Sequence, residues 1–128
     1  MHQWAKLKAG AIALALAVGL LGAQVAAAHH GWAWTSDEEF ELTGKIVAVR
    51  LGNPHGQLTV EADGQRWTVE VGQPWRNEQA GLRDDLLSIG RELTAHGHRS
   101  SDPEQHLMKA ERIVIEGKSY NLYPDRAS

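Results

Sequence analysis

The chain has 128 residues, with seven histidines, five tryptophans, no cysteine and a formal net charge of −3. Lack of cysteine excludes a thiolate metal site, a disulfide framework and a cysteine nucleophile. The acidic balance argues against a nucleic-acid partner, and the length suits one small domain with a modest core.

The first segment reads as an export leader. Lys6 and Lys8 precede an apolar run from Ala9 to Leu21, and Ala26-Ala27-Ala28 supplies small residues for cleavage. The run is short for a membrane span and rich in alanine, so residues 1–28 are expected to be removed rather than to form a stable anchor. Cleavage after Ala28 releases a chain of 100 residues to the periplasm, with 11 basic against 16 acidic residues. Six of the seven histidines remain, and the mature chain begins His29-His30. A terminal histidine offers its α-amine and imidazole as a bidentate chelate, and nitrogen ligands of this kind suit Cu(II). A cut one or two residues earlier puts a histidine third, which is again a Cu(II) or Ni(II) motif. The plain alternative is two polar residues flanking a cleavage site.

Residues 29–39 read as an irregular arm carrying Trp32, Trp34 and the acidic run Asp37-Glu38-Glu39, most simply a solvated face, with weak cation binding as the alternative. From Phe40 to Val49 the β-branched content predicts a strand, with a bend or bulge at Gly44. Asn53-Pro54-His55 follows as a loop. Proline fixes φ and biases its predecessor to extended geometry, so His55 is presented in a defined direction. The alternative is an ordinary turn with His55 exposed. Leu58–Ala62 and Trp67–Val71 alternate apolar with polar, and Asp63-Gly64 between them predicts a tight hairpin.

Pro74 opens a short helix that Gly81 stops, with Trp75 available to pack inward. Leu82, Leu86 and Leu87 extend the apolar segment through a further helical turn. Arg91 to His98 returns to strand alternation, putting His96 and His98 on one face with Thr94, opposite Leu93, Ala95 and Gly97. Such a pair can chelate a metal or simply face solvent. Arg99 to Gln105 is a polar loop, and His106 joins a site only if that loop folds back. Glu111–Ile115 and Ser119–Tyr123 predict a last hairpin turning near Gly117. The sum is an all-β domain over residues 40–124 with one short helix. It is a small barrel of five to six strands, of the oligonucleotide/oligosaccharide-binding (OB) type, with the helix between the third and fourth strands.

These residues also carry a resemblance. Ala28-His29-His30-Gly31, Gly44-Lys45-Ile46-Val47, Asn53-Pro54-His55, the apolar hairpin and Leu87-Ser88-Ile89-Gly90 resemble a family of small exported bacterial proteins classed as a domain of unknown function. The resemblance covers most of the mature chain. It implies a periplasmic OB-like barrel, leaves the biochemistry open, and makes His29, His30 and His55 the positions to examine first. His96-Gly97-His98 departs from the pattern, where Gly-Tyr or similar is expected.

The reading this supports is a periplasmic copper-binding protein that buffers, stores or delivers Cu(II). Its proposed ligands are His29 and His55, with His30, His98 and His96 as further candidates. Its expected partners are the copper ion and a periplasmic or inner-membrane protein. The alternative is a non-metal module binding a peptide, glycan or protein through Trp32 and Trp34. A copper oxidase built on the terminal-histidine brace is disfavoured, because so small a barrel offers little surface for a substrate. No serine–histidine–acid, phosphate-loop or zincin motif is present.

Overall fold

The computed structural model describes residues 31–126; the expected leader and His29-His30 lie outside them. The described residues fall into two units, divided between Trp34 and Thr35. Of the first, residues 31–34 are described and form a turn holding Trp32 and Trp34.

The second unit is a barrel. Its strands are β1 (Phe40–Arg50), β2 (Gln57–Ala62), β3 (Gln65–Glu70), β4 (Glu92–Arg99), β5 (Leu107–Ile115) and β6 (Lys118–Asn121). The helix α1 (Pro74–Gln79) and a short 3₁₀ turn at Asp84–Leu86 lie between β3 and β4. The sheet runs β3-β2-β1-β4-β5-β6, and a parallel pairing of β3 with β5 closes five strands into a cylinder with β6 added outside. Closure removes most free sheet edges, which small β-proteins must otherwise protect. Among the described residues no helix is long and apolar enough to cross a membrane.

Period-two alternation builds the interior. Leu42 and Ile46 of β1, Leu58 and Val60 of β2, Trp67 and Val69 of β3, and Leu93 and Ala95 of β4 are all buried in one cluster. Leu82 and Leu87, from the segment after α1, complete it. The β2–β3 hairpin turns at Asp63 and Gly64, both at positive φ (52° and 76°), as the Asp-Gly pair requires.

Three local expectations are corrected. Trp75 does not pack inward: it is 53% exposed, because α1 buries Asn77 instead. The Asn77 side chain accepts from the Gly72 N–H and donates to the Gly72 carbonyl, tying the helix to the end of β3. The irregularity of β1 falls between Ile46 and Ala48, not at Gly44. Gly44 serves close approach, since a Cβ there would strike the Glu61 carbonyl oxygen across the β1–β2 ladder. Finally, β5 begins at Leu107, four residues before the strand expected from Glu111.

A bulge hides that early half of β5 from the sequence pattern. β4 pairs His96 with Arg112 and then Gly97 with Ala110, leaving Glu111 without a partner on β4. Ile113 and Ile115 on one side of it, and Met108 and Ala110 on the other, all join the core. The strand changes phase at Glu111. Lys109 and Glu111 are therefore buried on the outer face, and the sequence shows no simple alternation there. Gly97 makes this tight pairing feasible, because any Cβ would collide with the Lys109 carbonyl.

Candidate functional site

The bulge brings a polar cluster together at one end of the barrel. His98 projects from β4 on the outer face, as the two-residue period requires, yet its side chain is only 7% exposed. Two segments cover it. The strip before β1 contributes the Glu38 carbonyl, 2.9 Å from His98 Nδ1, and Glu39 Oε1, 3.4 Å from Nε2. The chain after β6 contributes Arg126, whose Nε lies 3.3 Å from Glu111 Oε1. Glu111 itself is 1% exposed, with Oε1 at 2.6 Å from His98 Nε2. Its other oxygen, Oε2, is buried without a hydrogen-bond partner.

The roles of the two imidazole nitrogens follow from their neighbours. The Glu38 carbonyl can only accept, so Nδ1 carries a hydrogen and donates to it. Nε2 faces the carboxylates of Glu111, at 2.6 Å, and Glu39, at 3.4 Å. Two electron-rich groups at 2.6 Å hold together only around a proton or a metal ion. A histidine that donates one ring N–H to a backbone carbonyl while turning the other nitrogen inward has the outer support typical of a metal ligand. One ligand atom each from Glu39, His98 and Glu111 falls within 4.8 Å of the others. Ligands around one tetrahedral ion at about 2.1 Å stand about 3.4 Å apart. The His98–Glu39 spacing of 3.4 Å already meets this, whereas the His98–Glu111 contact of 2.6 Å must open by about 0.8 Å.

The other expected site residues are dispersed. His96 Nδ1 stands 3.8 Å from Glu41 Oε2 on the same outer face, outside the cluster. His55 follows the far end of β1 in the loop over residues 51–56, where the Asn53–Pro54 bond is cis. Glu39 immediately precedes the start of that strand, so β1 separates the two. His106 stacks on Trp67 with ring centroids 4.9 Å apart, which fixes it as part of the barrel wall. Of the candidates among the described residues, only His98 enters a cluster of ligand-type groups. Sequence reasoning offers Glu39 only within an acidic run that could add weak cation binding, and it misses Glu111, which looks like a strand boundary. The available signal is Gly97, since glycine inside a strand marks a bulge or a close backbone approach.

Neighbouring groups reinforce the polar character of this face. Lys109, 2% exposed, has its ammonium pulled below the ordinary lysine range, chiefly by burial and against the attraction of Glu70. Burial likewise raises the Tyr123 phenol above its usual value, opposed by the Arg76 charge. Arg76 lies 4.2 Å from the Tyr123 ring centroid and donates to the Leu122 carbonyl, holding the chain after β6 against the barrel.

The fold and this rim define a small OB-like β-barrel protein with a histidine–carboxylate cluster. The chain belongs to the family described as "Family of unknown function (DUF6152)", which matches residues 17–109. No curated protein matches it. Among solved structures, it is similar to a chain of the S. pombe Stn1-ten1 complex at 17% identity and a TM-score of 0.50, covering 62% of this chain and 59% of that one. It is also similar to a ZRD-deleted mutant of TiaS in complex with agmatine at 14% identity and a TM-score of 0.48, covering 66% of this chain and 26% of that one. The match thus spans less than two thirds of either of those chains. At 17% identity the likeness to the first of these is one of fold alone.

Proposed function

We propose that this chain is an exported copper-binding protein of the buffering, storage or delivery kind, with a barrel-borne ligand set of His98, Glu111 and Glu39. The observation that carries the reading is the His98 ring itself, with Nδ1 spent on the Glu38 carbonyl and Nε2 aimed at two carboxylates. One imidazole nitrogen with carboxylate oxygens suits a divalent transition metal, and copper heads the affinity order. Orphaned Glu111 Oε2 supports the same reading, because a buried carboxylate oxygen without a donor is costly and a cation relieves it. The processed amino terminus carries a separate chelate in this proposal, at His29, with His30 and His55 as the residues proposed beside it.

Titration of the exported protein with Cu(II) tests the barrel site. Mass spectrometry should show the leader gone, and one Cu(II) equivalent should disappear in both His98→Ala and Glu111→Gln while His96→Ala retains it. Two barrel variants that fold and still bind as much copper as the parent would reduce the cluster to a structural ion pair.

A further inference from the structure

The cluster already holds a cation, Arg126, from the turn that follows β6. Glu111 Oε1 is shared between His98 Nε2 and Arg126 Nε, at 2.6 and 3.3 Å. Resting on the metal-site reading above, we infer that Arg126 is a built-in competitor of the metal, which must swing off Glu111 before an ion can take both carboxylates. A guanidinium beside Glu111 Oε1 would face an ion bound there across only a few ångströms. At an effective dielectric constant of about 20, like charges that close repel strongly enough to shift affinity about tenfold or more.

The local build lets Arg126 leave while Glu111 stays. Glu111 is fixed on β5 and 1% exposed, whereas the Arg126 side chain is 40% exposed and can be rehydrated by a small rotation. The chain before it is anchored: Leu122 and Tyr123 both donate their backbone N–H to the Glu111 carbonyl. Arg76 packs over the Tyr123 ring. Beyond this anchor, the Arg126 N–H donates to the Tyr123 carbonyl at 3.0 Å, closing a single turn across Pro124 and Asp125. The anchor therefore holds the chain as far as Tyr123. Exchange of one positive charge for two on the same carboxylate couples metal loading to the position of the last turn. The empty and loaded proteins then differ in the turn after β6, on the outside of the barrel.

The test is Cu(II) titration of the full exported chain in a His29→Ala, His30→Ala background, so that the barrel site alone is read. Arg126→Gln should bind Cu(II) about tenfold more tightly than that parent, and Arg126→Lys, which keeps the charge, should stay close to it. A purely structural arginine would lower the melting temperature in both variants and leave affinity unchanged. Glu111→Gln separates the two layers of the argument. If Glu111→Gln abolishes Cu(II) binding while Arg126→Gln matches the parent, the competitor is overturned and the metal site stands. If Glu111→Gln binds as the parent does, the metal site itself is overturned and the competitor falls with it.

Discussion

The barrel interior and the outer face of β4–β5 are both buried, and they are buried by different physics. Inside, Ile46, Leu58, Val60 and Val69 exclude water through nondirectional apolar contact, so any side chain of the right volume serves. Outside, His98, Lys109 and Glu111 are almost as well covered, yet each must be matched by a specific partner at a specific distance. Apolar burial explains why the chain folds. The polar burial is far more particular, and its cost is accepted at one end of one strand pair.

Substitutions can drive the two regions apart. Leu58→Ala removes a fully buried core side chain and should cost about 2–5 kcal/mol in urea unfolding. Copper stoichiometry of the folded fraction should stay unchanged. Gly97→Ala strikes the boundary between the regions, because its Cβ meets the Lys109 carbonyl at the bulge. It should cost about 1–3 kcal/mol and, unlike Leu58→Ala, also disturb copper binding by shifting β4 against Glu111. Lys109→Met exchanges a poorly hydrated ammonium for an apolar side chain of similar length. It also removes the charge that Glu70 attracts, so stability should fall by about 1 kcal/mol, which a lowered urea midpoint would register. Ile89→Ser, on an exposed loop, should change stability by no more than about 0.5 kcal/mol and solubility for the better.

The interior is legible in the sequence because its rule is local. Alternation at Leu58–Ala62, the Asp63-Gly64 turn and Pro74 at the helix start each announce themselves within a few residues. The outer cluster is legible only in part. His98 stands out as a histidine on a strand, and the two-residue period gives its face. Glu39 and Glu111 do not stand out, because their meaning depends on contacts 59 and 13 residues away in the chain. The bulge at Glu111 also erases the alternation that would have marked the start of β5. Trp75 misleads for a related reason: its helix buries Asn77, a polar residue satisfied by Gly72, which no hydrophobic pattern reveals.

The central claim is that His98 Nε2 and Glu111 close on a metal ion. Anomalous diffraction at the copper absorption edge, from crystals of the protein grown with Cu(II), tests it most directly. The account predicts a peak about 2 Å from His98 Nε2 and from a Glu111 oxygen. In that crystal the His98–Glu111 contact would be opened beyond its present 2.6 Å, with Glu39 as a third ligand at its present spacing from His98. A copper-bound crystal with its anomalous density elsewhere, and the His98–Glu111 contact still closed, would contradict it.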